Sequence, residues 1–211
     1  MNLSVSDIQQ LERKYRLNLI NSITGVKPAN LIGTANAEGQ SNLAIFSSIV
    51  HLGSDPALIG FITRPTDGVP RHTYENILEN RYFTVNHVPA SHIENAHYTS
   101  TKFPGDVSEF SKCGFTEEYL DGFKAPYVKE ATTKIGVKFC QQLPIELNGT
   151  RLMVGEIQTI IVPDDAVSDK GYLDLESQSN VGIGGLNQYY RLSKEGEFPY
   201  ARLGEEPSFE R

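Results

Sequence analysis

Two long runs rich in apolar and β-branched residues, 133–143 and 151–162, flank Asn148-Gly149-Thr150. Asn-Gly accommodates the positive φ angles of a tight hairpin turn, so the pair predicts two antiparallel strands. A lone hairpin is marginally stable in water, and strands this long need further strands beside them. Shorter apolar runs bounded by turn residues supply those partners at 30–36, 41–52, 57–63 and 82–88, the first two joined by Ala37-Glu38-Gly39-Gln40. About six strands with few helices between them point to a closed or split antiparallel barrel and away from a doubly wound sheet.

The helices are short and peripheral. Ser6, with Gln9 at the capping-box position, predicts an N-terminal helix with Ile8, Leu11 and Tyr15 on one face. Helical spacing recurs at 74–81 and 91–98. The stretch 99–125 has no clear periodicity and reads as a long excursion with some helix near 117–120. Long ordered loops are often functional, and this one opens just after His97 and carries Lys102.

The segment 41–76 carries the chemistry. Thr73 predicts an N-cap, and a helix start leaves about four N–H groups without intrahelical partners beside a partial positive charge, which suits an anion. Arg64, Arg71 and His72 precede that start, with Asp67 the single acid between Pro56 and Tyr74, in a chain of net charge −7. Arginines grip phosphate oxygens through paired, charge-assisted bonds. The competing account is a capped helix with two solvated arginines and Asn76 at the third helical position. Upstream, Asn42 and Ser47-Ser48 interrupt a run apolar on both faces, where an unpaired polar group costs about 1–3 kcal/mol. These groups either bond neighbouring backbone or face the polar edge of a flat ring, and the small Ala44 and Gly60 leave room for such a ring to approach.

The order of these pieces resembles the flavin reductase-like family with an FMN-binding split barrel. The resemblance spans about 20–201 and is clearest at Leu31-Ile32-Gly33-Thr34, Asn42-Leu43-Ala44-Ile45-Phe46-Ser47-Ser48, Arg64-Pro65 and Arg71-His72-Thr73-Tyr74-Glu75-Asn76-Ile77. It continues at Ala96-His97-Tyr98-Thr99-Ser100-Thr101-Lys102-Phe103 and Gly184-Gly185-Leu186-Asn187-Gln188-Tyr189-Tyr190. It implies a mainly β fold: a split antiparallel β-barrel of Greek-key type, about six strands, with a few short peripheral helices. FMN is the implied cofactor. Asn42, Ala44, Ser47, Ser48 and Ile49 would hold the ring and Arg64, Arg71, His72 and Thr73 the phosphate; Asn76, His97 and Lys102 complete the implied cofactor-binding set. A homodimer with FMN near its interface is also implied.

The bulk properties agree with one domain over 1–211, comprising an N-terminal helix in 1–20 and a charged tail, 193–211, packed on the surface or a partner subunit. The acidic balance disfavours nucleic acid and anionic membrane as partners. No run approaches the roughly 20 apolar residues of a membrane span. The start lacks the basic and apolar regions of a secretory signal, so the cytoplasm is the expected compartment. Cys113 and Cys140 have no Cys-x-x-Cys spacing and read as idle thiols. No histidine pairs with a glutamate in a zinc-binding pattern, so no metal is expected. Gly182-Ile183-Gly184-Gly185-Leu186-Asn187 has Asn where a dinucleotide fingerprint needs its third glycine, and reads as a glycine-permitted bend.

Hydride transfer from a nicotinamide to a flavin needs stacking rather than a protein acid or base, so no catalytic residue is assigned. His97 either faces the flavin or nicotinamide or is a surface histidine. Three functions fit: an NAD(P)H-dependent flavin reductase, an FMN-holding electron-transfer protein without its own nicotinamide site, and a split-barrel module that has lost its flavin. The intact Arg71-His72-Thr73 turn disfavours the third.

Overall fold

Strand order in one antiparallel sheet decides where a ligand can sit. The computed structural model describes residues 1–208. The chain begins with helices α1 (Val5–Gln10) and α2 (Arg13–Ser22), then strands β1 (Lys27–Pro28), β2 (Asn30–Ala35), β3 (Ser41–Phe46), β4 (Val50–Ser54) and β5 (Ala57–Thr63). Helix α3 (His72–Asn80), strand β6 (Tyr82–His87), α4 (Ile93–Tyr98) and α5 (Glu109–Lys112) follow. The second half holds β7 (Glu117–Glu118), β8 (Tyr127–Val128), β9 (Lys134–Ile145), β10 (Thr150–Ile161), β11 (Val181–Gly184) and β12 (Gln188–Arg191).

The main sheet runs β3-β2-β6-β9-β10-β5-β4, with two small sheets, β1-β11-β12 and β7-β8, beside it. Its two edges, β3 and β4, are separated in sequence only by Ser47, Ser48 and Ile49. Four Cα steps span about 14 Å at full stretch, so the sheet must curl until its edges approach. No ladder joins them, and the barrel is split rather than closed. The main sheet has seven strands where about six were expected, because the run 41–52 breaks into two. At the break the Ser48 hydroxyl accepts the Ile62 N–H at 3.0 Å, tying the crossing to β5.

β2 is buried on both faces. Alternation sends Leu31 outward to Leu43, Val88, Ala96 and Phe110, and Ile32 inward to Phe61, Phe83, Val85 and Met153. Inside the barrel Phe61 meets Phe46 and Phe83 edge-on, with centroids 5.0 and 5.4 Å apart. The outer layer covers the face from which α4 and α5 reach β3.

Several local expectations need correction. Ser4, not Ser6, caps α1, with Asp7 completing the box, and Glu12 then caps a second helix that lacked a clear sequence signal. The Asn148-Gly149 hairpin closes through four residues, with both their N–H groups on the Ile145 carbonyl and Gly149 at φ 70°. Helix in the 99–125 excursion lies at α5, while 117–118 pair as strand β7 and Glu118 bonds the buried Lys134 ammonium. Among the described residues the tail from Ser193 has no regular structure, and 209–211 lie outside them. No described helix is long and apolar enough to cross a membrane.

Candidate functional site

The split opens into a cavity of about 850 Å³. β3 and the crossing line one wall with Asn42, Ala44, Ser47 and Ser48. The chain after β5 contributes Arg64 and Arg71, the start of α3 His72 and Thr73, and the far rim His97 and Lys102. Two expected residues stand apart from this lining. Ile49 packs on the barrel's inner cluster, and the buried Asn76 donates Nδ2–H to Thr34 Oγ1 at 3.1 Å.

α3 begins two residues earlier than expected. Its cap is Arg71, whose N–H bonds the Glu75 carboxylate at 3.1 Å, and no side chain caps the helix. The N–H groups of His72, Thr73 and Tyr74, in the first turn, therefore have no intrahelical acceptor. The Thr73 hydroxyl accepts instead from Asn42 Nδ2 at 3.0 Å, joining the helix start to β3. Arg71 Nε–H donates to the Pro65 carbonyl at 3.2 Å, holding the guanidinium on the turn with its terminal nitrogens left for an anion. The loop after α4 closes on the same point: a Cβ on Gly105 would lie 3.2 Å from His72 Nε2.

Not every polar group on the walls has a protein partner. Leu43 N–H, on the edge of β3 away from β2, donates to Glu109 Oε2 at 3.1 Å. Antiparallel alternation turns the N–H and C=O of Ile45, two residues on, to that same open edge, and Ile45 lines the cavity. Thr63 is 4% exposed and also lines it, with a hydroxyl that has no partner. Buried polar groups are nearly always satisfied, so this wall fits a ligand with alternating acceptors and donors along one edge. At the rim His97 Nδ1 lies 3.1 Å from Tyr189 Oη. Burial pushes the Tyr189 phenol up to about 12, so it remains protonated.

Glu109, absent from the expected set, is 6% exposed and borders the cavity. Burial pushes its carboxyl above the usual range, opposed by the Leu43 N–H and by nearby His72. The fold therefore retains this proton to higher pH than the unfolded chain does. Stability from that difference is complete below the unfolded-chain value and is lost as pH rises through the folded value. Glu109→Gln keeps an acceptor for Leu43 while removing the charge. Its Tm should exceed the parent's by a margin that grows as pH climbs from the carboxylate range to neutrality; parallel Tm curves would contradict the assignment. Nothing in the sequence marked Glu109, one of five acids in the aperiodic stretch 99–125.

Comparisons with known proteins agree with this fold. Residues 26–179 match the model of the flavin reductase like domain. The chain is 45% identical to a candidate flavin reductase with a split barrel domain from Shewanella frigidimarina, with TM-score 0.92 over 95% of this chain and 100% of that one. Two more distant structures share the fold: nitrilotriacetate monooxygenase component B from Bacillus cereus, 19% identical, TM-score 0.81, covering 94% and 98% of the two chains, and an FMN-binding protein from Thermus thermophilus, 17% identical, TM-score 0.70, covering 84% and 93%.

Proposed function

Because the chain belongs to the flavin reductase like domain family, we propose that it binds FMN in the split and acts as an NAD(P)H-dependent flavin or flavin-mediated reductase. The open backbone edge at Ile45, facing the same cavity as the uncapped start of α3, carries this reading. The Ile45 N–H and C=O would pair with the pyrimidine edge of the ring, and Thr63 offers a further hydroxyl. Arg71 and the N–H groups of His72 to Tyr74 would take the phosphate. Arg64, Ser47, Ser48, Ala44 and Asn42 complete the walls. The binding of FMN by the Thermus thermophilus protein of like fold supports phosphate-bearing flavin over riboflavin.

When bound, FMN supplies two-electron chemistry, accepting hydride at N5 from a nicotinamide and passing the electrons to an acceptor. The chain's part is to position and to exclude water. N–H donors of the β3 edge would stabilise negative charge on the ring, as an oxyanion hole does. His97 and Lys102 stand on the rim where a second reactant enters. The test is direct: purified protein should be yellow and release FMN on denaturation. NADH or NADPH added without oxygen should bleach it; a flavin that only a protein donor reduces would contradict the reductase reading.

We also infer a homodimer. Leu143, 46% exposed, pairs in register with Leu152, and Leu152 and Leu52, the latter 41% exposed, both lie against Gly60. With Val50 and Ile145 they form an apolar stripe across β4, β5, β10 and β9. Such a patch marks an interaction face. Leu52→Lys with Leu143→Lys should convert dimer to monomer in sedimentation velocity at unchanged far-UV circular dichroism; a dimer that persists would contradict this face.

A further inference from the structure

A second hollow, about 460 Å³, adjoins the cavity, and His97 and Asn187 border both. Ser91, Glu94, Tyr98 and Tyr189 are among its other lining residues. The His97–Tyr189 contact at 3.1 Å holds the shared wall in place. Tyr98, whose ring meets the His97 ring edge-to-face at 5.5 Å between centroids, leaves 56% of its surface exposed. Charge separates the two spaces. The main cavity is bordered by Arg64, Arg71 and Lys102 with Glu109 its one acid, whereas Glu94 is the single charged side chain of the hollow. Among the described residues Glu94 has no ion-pair partner.

We propose that this hollow receives the adenosine half of the nicotinamide donor, and that Glu94 makes the protein selective for NADH over NADPH. The proposal rests on the reductase reading above and adds which nucleotide is used. A carboxylate accepts from both ribose hydroxyls of NADH through charge-assisted bonds. The 2′-phosphate of NADPH would instead meet like charge, with no lysine or arginine in the lining of the hollow to neutralise it, and such juxtaposition selects strongly against a ligand. The exposed part of the Tyr98 ring offers aromatic surface against which a purine would pack. Lys102, on the neighbouring rim, is the cation available to the pyrophosphate between the two spaces.

The test is calorimetric titration of the flavin-bound protein with ADP-ribose and with its 2′-phosphorylated form, neither of which can reduce a flavin. ADP-ribose should bind at least about tenfold more tightly. Glu94→Gln should narrow the ratio, and Glu94→Lys should invert it. Equal affinities, tighter binding of the 2′-phosphate, or a ratio unmoved by Glu94→Lys would overturn the selectivity. Anaerobic bleaching reports on the donor role separately. Failure of both NADH and NADPH to bleach the flavin overturns the reductase reading, and this proposal with it. Bleaching by both with equal KM overturns the selectivity alone.

Discussion

Combining Arg71→Ala with Thr73→Val will weaken FMN binding on the order of 100-fold, while riboflavin binding falls by no more than about threefold. Arg71 is the half-buried arginine at the helix start, and Nε–H on the Pro65 carbonyl already fixes its position. Its terminal nitrogens would meet the phosphate without reordering, the condition under which charge-assisted bonds contribute most, about 1.5–3 kcal/mol each. Thr73 holds Asn42 Nδ2 at 3.0 Å and so keeps α3 against β3. Valine retains the shape and removes that link, displacing the N–H groups that would meet the phosphate. Riboflavin has no phosphate, so it should register only the small disturbance of Asn42. Fluorescence-quenching titrations with both flavins read the difference, and equal losses would place the phosphate elsewhere.

Gly33→Ala will destabilise the fold by about 3 kcal/mol, lowering Tm by roughly 10 °C. A Cβ at Gly33 would lie 2.3 Å from the Pro126 carbonyl oxygen and 2.7 Å from Thr84 Oγ1. Neither atom is free to retreat. Thr84 Oγ1 donates to that same carbonyl at 2.6 Å, and the Val128 N–H next to it is bonded to buried Asn86 Oδ1 at 3.0 Å. The segment 126–128 crosses directly over β2 and β6, and only a residue without a side chain allows so close a passage. Gly53→Ala is the matched control, since its Cβ would meet nothing nearer than the Pro56 carbonyl oxygen at 3.4 Å. Thermal melts should separate the two variants; a Gly33→Ala melt within a few degrees of the parent would contradict this packing.

The strands were legible where local pattern sufficed. The run 57–63 reappears as β5 without change, and 82–88 as β6 to within a residue, because alternation and flanking turns are properties of neighbours. The break in 41–52 was not legible. Ser47-Ser48 signalled polar groups in an apolar run, but that they carry the chain from one sheet edge to the other depends on Ser48 meeting Ile62, 14 residues on. The start of α3 was legible as a helix start beside a cationic turn, yet misplaced at Thr73. That hydroxyl is engaged by Asn42, and a contact across 31 residues outweighed the local capping preference. Glu109 was invisible for the same reason, as its importance comes from Leu43, 66 residues earlier.

By itself the sequence determined what short-range sterics and periodicity can specify: a barrel-forming set of antiparallel strands, a cationic turn before a helix, and the residues that resemble a flavin-binding family. Tertiary structure alone decided which backbone edge stays unpaired, how the 99–105 loop closes on His72, and that a second, acid-lined hollow adjoins the first. Those features arise where strand order brings distant residues together, and hydrogen bonds across such distances leave no periodic trace in the chain.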